Sequence, residues 1–254
     1  MAQKRPLLFL GEGWVRVERL VLLFLALSWP AGAQVTILTA GAYHDEAARI
    51  VQSRGVYATI TTDTAGGGLR RLRAGERFDL VINTPAGITA LIAEGKLSPS
   101  LTDVARIGIG IAIRTGTPIP AIDNEAAFRA LVQTAPSIAM IDPAAGGSSG
   151  IYLFKLFESW GIVEEIKPKL VLVQSGRAAD RVASGAASIA LQQLTELNVA
   201  GVTVVGPLPA SIQSYTTYSG AVSPTAPPRA NELLNGMALN TELVPSVPTP
   251  AGKP

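Results

Sequence analysis

"IDPAAGGSSGIYLFKLFESWG", Ile141–Gly161, is the stretch on which the fold turns. An apolar run, Ser137–Pro143, reads as a buried strand. It passes into glycines and serines, and then into an aromatic, amphipathic run that reads as a helix. The turn between them exposes backbone N–H groups at a helix start, where the dipole favours an anion. The GK[ST] ending of a nucleotide phosphate loop is absent, because Ile151 and Tyr152 follow Gly150. The spaced glycines of a dinucleotide fingerprint are absent too. The same residues also suit a plain helix cap, with Ser148 or Ser149 capping and the glycines making the turn. The stretch by itself leaves both readings open.

Working outward, the same unit recurs. Apolar runs at 35–40, 56–63, 78–84, 105–116, 169–174 and 187–193 read as strands. Helical patterns at 45–53, 69–75, 86–97, 124–133 and 176–185 lie between them. Continuous apolar strands separated by helices imply an α/β protein with mostly parallel sheet and helices on both faces. Several strands end in small-residue turns: "TAGA" (39–42), "TAGGG" (64–68) and "QSGR" (174–177). Ligands of open α/β sheets bind beyond the carboxyl ends of the strands, where these turns lie.

The chain's ends read differently. Lys4, Arg5, Arg16 and Arg19 precede an uncharged apolar run, Leu20–Trp29, and "PAGAQ" follows. This predicts a signal peptide over 1–33, cleaved after Ala33 and directing the protein to the periplasm; the run is short for a membrane span. The whole chain carries 21 Lys and Arg against 19 Asp and Glu. Removing the leader, with its four basic residues and Glu12 and Glu18, leaves the signs balanced. No basic footprint for nucleic acid remains. Without cysteine, the chain has no disulfide frame, thiol nucleophile or cysteine metal site. Residues 241–254 form a proline-rich tail expected to be loose.

The remaining candidate residues sit in the strand-end turns. In "DTAGGGLRRL", Arg70, Arg71 and Arg73 cannot all face one ligand at 100° per residue, so at least two belong to a solvated face. Arg177 opens a helix, where a cation opposes the dipole. Either a bound acid or pairing with Asp180 accounts for it. His44 is the single histidine, and no GxSxG elbow occurs, so covalent catalysis finds little support. His44 either caps the first strand's end or serves as a general base. No acidic spacing of a metal loop occurs, and no cofactor is expected.

Residues 35–50, 64–97, 106–122, 138–162 and 182–197, taken in order, resemble the periplasmic solute-binding proteins of ABC importers, in the molybdate-binding-like branch. "DPAAGGSSGIYLFKLFESWGI" is the most specific segment. The resemblance implies a two-lobed type II periplasmic binding fold, each lobe a mixed, mostly parallel sheet flanked by helices. Lobe 1 would comprise 34–111 and a return over 206–240, and lobe 2 would be 112–205. Two hinge crossings, 106–118 and 204–222, would join them. A monomer closing on a small anion and handing it to an inner-membrane permease is the implied function.

The family's oxyanion contacts carry over to Ala42, Gly66 or Gly67, Ser149, Ser175 and Gln193. Two serine hydroxyls and a tyrosine of that pattern are therefore missing. Some proteins similar to this branch, the aconitate isomerases, handle small carboxylates. The expected ligand contacts are Ala42, Tyr43, His44, Ala65, Gly66, Gly67, Gly147, Ser148, Ser149, Ser175, Arg177 and Gln193, a mixed donor set that suits an organic acid as well as an oxyanion. An isomerase using His44 for proton transfer is the alternative.

Overall fold

The computed structural model describes residues 34–238, preceded by two short strands, β1 (Leu8–Phe9) and β2 (Trp14–Val15), that pair antiparallel. The rest of the expected leader over 1–33 and the tail over 241–254 lie outside the described residues.

The body begins with β3 (Val35–Ala40), α1 (His44–Ser53), β4 (Ala58–Asp63), α2 (Ala65–Arg73), β5 (Leu80–Asn83) and α3 (Pro85–Ala93). A long strand, β6 (Thr102–Arg114), follows, then α4 (Glu125–Thr134), β7 (Ile138–Ile141), α5 (Ser148–Ser159) and α6 (Val163–Ile166). The chain continues through β8 (Leu170–Val173), α7 (Ala179–Ala183), β9 (Ile189–Gln193), β10 (Val202–Pro207), β11 (Tyr215–Val222) and α8 (Pro228–Met237). The glycines Gly66–Gly68 sit inside the first turns of α2 rather than in a loop before it. Thr64 is the N-cap, its hydroxyl accepting from Gly67 N–H, so the helix needs no side chains from the glycines to start.

The strands run in the order β4-β3-β5-β11-β6-β9-β7-β8, with β10 on β6. β3 is parallel to β4 and β5, and β7 is parallel to β8 and β9. β11 and β10 are antiparallel to β6, and so is β9. The amino-terminal part of β6, Thr102–Gly108, pairs with β11, and the part from Ile109 pairs with β9. Gln213 secures that changeover, its amide exchanging two 2.9 Å hydrogen bonds with the backbone of Ile109.

The apolar cores follow the strand period of two. In the first half of the sheet Val35, Ile37 and Ile82 meet Ala47 and Ile50 of α1 and Leu233, Leu234 and Met237 of α8. On the opposite face Leu38 and Val81 meet Leu72 of α2 and Ile88 and Leu91 of α3. In the second half Ile111, Ile138, Met140 and Leu191 cover Phe128, Val132, Leu153 and Phe157. The alternating Ala112, Ala139 and Ala190 let α7 approach through Ala178, Ala179 and Val182. Ile107 belongs to the first set of clusters and Ile109 to the second. Both halves therefore bury their own apolar surface, and each sheet half carries helices on both faces.

Candidate functional site

The parallel strands β3 and β4 and their counterpart β7 end at one cavity. Ala40, Gly41, Ala42, Thr62, Asp63, Thr64 and Ala65 line it from the first half of the sheet. Ile141, Gly147, Ser148, Ser149, Gly176, Gln192, Gln193 and Glu196 line it from the second, and Tyr218 of β11 contributes to the lining between them. The cavity is a small, partly open pocket of about 30 Å³.

Contacts cross the cavity's rim. Gly66 N–H donates to Gly146 O at 3.0 Å. Thr64 Oγ1 and Arg70 Nη2 donate to Ala145 O at 2.6 and 3.2 Å. Thr195 Oγ1 donates to Ala42 O at 2.7 Å. Arg177 Nη2 lies 2.7 Å from both carboxylate oxygens of Asp45. The backbones of Gly66 and Gly146 approach so closely that a Cβ on Gly66 would lie 2.9 Å from Gly146 Cα.

The glycine–serine turn presents the helix end its sequence suggested, though not by serine capping. Gly147 is the N-cap of α5 and has no side chain to cap with. The Ser148 hydroxyl turns instead to Gln193, 3.0 Å away, and to Tyr218 Oη at 3.3 Å. With the Gln193 amide oriented so that its nitrogen donates to Ile107 O and Gly108 O (3.2 and 3.0 Å), its oxygen accepts from Ser148 Oγ and Thr216 Oγ1. Gln193 therefore ties β9 to both strands at the changeover, and Ser148 leans on it. The positive end of the α5 dipole faces the cavity without a side-chain cap.

Of the expected contacts, Ala42, Ala65, Gly147, Ser148, Ser149 and Gln193 line the cavity. The other six lie outside its lining. Tyr43 is buried in the first core, only 1% exposed. His44 starts α1 with its Nδ1 2.8 Å from Thr62 Oγ1. Gly66 and Gly67 have spent their N–H groups on Gly146 O and Thr64 Oγ1. Ser175 is exposed, and its neighbour Gly176 lines the cavity in its place. Arg177 pairs with Asp45, not with Asp180. Arg71 and Arg73 pair with Glu76 and Glu94 on the outer face.

Sequence reasoning missed Thr62, Asp63, Thr64, Gln192, Glu196 and Tyr218. A signal existed for some of them: "TTDT" and "QQ" are polar residues ending apolar strands. Tyr218, beside Ser148, supplies a phenol that the family pattern had placed at Gln193. Burial, reinforced by the charge of Glu196, raises the Tyr218 phenol well above its ordinary pKa, so it remains neutral. Glu196 is pushed up to about 8, chiefly by burial; Arg177 and a hydrogen bond from Gln192 oppose the shift and Asp45 adds to it. No Lys or Arg lines the cavity among the described residues. No cluster able to hold a metal ion occurs among them either, and no helix among them is long and apolar enough to cross a membrane.

Residues 36–240 match the family described as bacterial extracellular solute-binding protein. An aconitate isomerase from a Pseudomonas species is 34% identical over 168 residues, covering 65% of this chain. The match spans 63% of that relative's length, less than two thirds. Among solved structures, the periplasmic molybdate-binding protein of Azotobacter vinelandii superposes with a TM-score of 0.63 at 16% identity, covering 80% of this chain and 92% of that one. The sulfate-binding protein of Mycobacterium tuberculosis H37Rv gives 0.63 at 16% identity and 82% coverage of each chain. The architecture is that of the type II periplasmic binding proteins.

Proposed function

The chain belongs to the bacterial extracellular solute-binding proteins, and from that premise we propose that it captures a small anion in the cavity at the start of α5. The two sheet halves act as lobes that close on the ligand by a hinge at β6 and the 204–222 return. The supporting observation is the helix end itself: α5 points uncapped backbone N–H groups into a polar cavity lined from both halves. In this reading the leader over 1–33 sends the protein to the periplasm. There a monomer delivers its ligand to the permease of an ABC importer. The ligand is an oxyanion of the molybdate kind or a small organic acid.

The test is a thermal-shift panel on the exported protein with molybdate, tungstate, sulfate and tricarboxylates. A ligand at a hundred times its Kd adds about 2.7 kcal/mol to stability. For a body of this size that raises Tm by roughly 5–11 °C. A folded protein that shifts with none of these anions would refute anion capture.

A second reading is supported by the 34% identity to an aconitate isomerase. An isomerase moves a proton between carbons of a small unsaturated acid, and needs an acid or base in contact with it. Glu196 lines the cavity, while His44 is turned to Thr62. Turnover of trans-aconitate, followed by absorbance, supports this reading if it is lost in Glu196→Gln. No turnover by the unaltered protein rules it out.

A further inference from the structure

We propose that the carboxyl of Glu196 is a proton-bearing contact to the captured anion, so that ligand binding and closure take up a proton. This rests on the anion-capture reading. Glu196 ends the turn after β9, and its Oε1 packs against Gly41 at the end of β3, where any side chain in place of the glycine would collide with it. The acid thus belongs to one half of the cavity and is half-buried, partly covered by the other. Opening the cavity returns it to water.

The surrounding groups leave that carboxyl without a dedicated cation. On β9, Gln192 favours the ionised form of Glu196, while its amide nitrogen donates to Gly176 O at 3.0 Å and its oxygen accepts from Ala178 N–H. Arg177, before α7, commits its Nη2 to both carboxylate oxygens of Asp45 of α1 and its Nη1 to Asn198 O. Tyr218 of β11 is neutral and is hydrogen-bonded to Ser148 of α5. His44 of α1 reaches Thr62 rather than the acid. The other lining acid, Asp63 of β4, accepts from Thr64 N–H at 2.7 Å and has Arg71 Nη1 3.9 Å from its Oδ2.

An ionised Glu196 beside a bound anion would place two like charges side by side in a partly desolvated pocket, where repulsion exceeds that in water. A proton removes that conflict and converts the group into a donor. Burial already favours the neutral form up to about pH 8. The bound state therefore holds one proton more than the open state, and affinity must fall as pH rises.

The test is calorimetric titration of the exported protein with molybdate and with citrate from pH 6 to 9.5. Running each pH in two buffers of different ionisation enthalpy counts protons taken up. The expected result for a binding probe is an affinity falling by up to about tenfold per pH unit, with uptake approaching one proton. Glu196→Gln, which keeps a donor and the volume, is expected to bind at pH 9 as at pH 6 with no Glu196 proton taken up. His44→Gln is expected to leave the slope in place. Melting of each variant at pH 6 confirms that it is folded. A slope that persists in Glu196→Gln, or is lost in His44→Gln, overturns the proposal while leaving anion capture standing. Absence of binding by the unaltered protein to either probe at any pH overturns the proposal, and a flat thermal-shift panel across all anions overturns the reading beneath it.

Discussion

Replacing Gly66 with Ala should weaken ligand binding and stabilise the unliganded fold at the same time. The added Cβ would lie 2.9 Å from Gly146 Cα and 3.3 Å from Gly146 O, both backbone atoms that cannot rotate away. Relief comes from parting the two sides of the cavity. Parting breaks Gly66 N–H to Gly146 O, Thr64 Oγ1 to Ala145 O and Arg70 Nη2 to Ala145 O. At about 1 kcal/mol net for each hydrogen bond, losing two or three costs the closed state about 2–3 kcal/mol. Affinity should then fall about 30- to 150-fold. The fold itself gains, because Gly66 lies within α2 and is not among the glycines with positive φ. Gly→Ala at such a position stabilises by about 0.4–1 kcal/mol, or roughly 1–4 °C in Tm for a body of this size. Calorimetric titration with whichever anion shifts the parent most gives the first number, and ligand-free melting gives the second. An affinity within threefold of the parent would refute the role assigned to this contact. So would a lowered ligand-free Tm, since it would mean the strain stays in the fold.

The Arg177–Asp45 pair spans the cavity's rim with side chains 33% and 58% exposed, so a double-mutant cycle on ligand affinity should give a coupling of about 0.5–1 kcal/mol that fades in 1 M salt. Glu196 has a folded pKa raised from 4.5 to about 8, so its contribution is fully present below pH 4.5 and is lost as pH rises toward 8. Tm of the ligand-saturated parent should decline across that window relative to Glu196→Gln, as scanning calorimetry at half-unit pH steps would show. Gln193→Leu would strip the amide from Ile107 O, Gly108 O, Ser148 Oγ and Thr216 Oγ1. Leaving such buried partners unsatisfied should cost about 2–4 kcal/mol in urea unfolding, with Gln193→Glu recovering little of it.

The fold was legible because its signals are local. Apolar runs such as Ile138–Ile141 and Leu80–Asn83, buried at every residue, announce strands covered on both faces. Asn124 opens the helix expected over 124–133 by capping Ala127 N–H, whereas the glycines after Thr64 hid a helix start that its hydroxyl caps. The strand-end turns located the cavity for the same reason, and six of the expected contacts do line it.

What the sequence by itself determined is the set of elements, their faces and the end of the sheet where the polar cavity lies. Tertiary structure decided which side chains meet there. Spacing offered Asp180 to Arg177, but the partner is Asp45, 132 residues away. Ser148 stands where a cap is expected, but Gln193 and Tyr218 claim its hydroxyl once β11 lies between β5 and β6. Glu196 looks like an ordinary turn acid until Gly41 of the first strand's end covers it. Periodicity and capping are set by neighbours a few residues apart, whereas desolvation and hydrogen-bond partners across a cavity depend on the order in which distant strands pair.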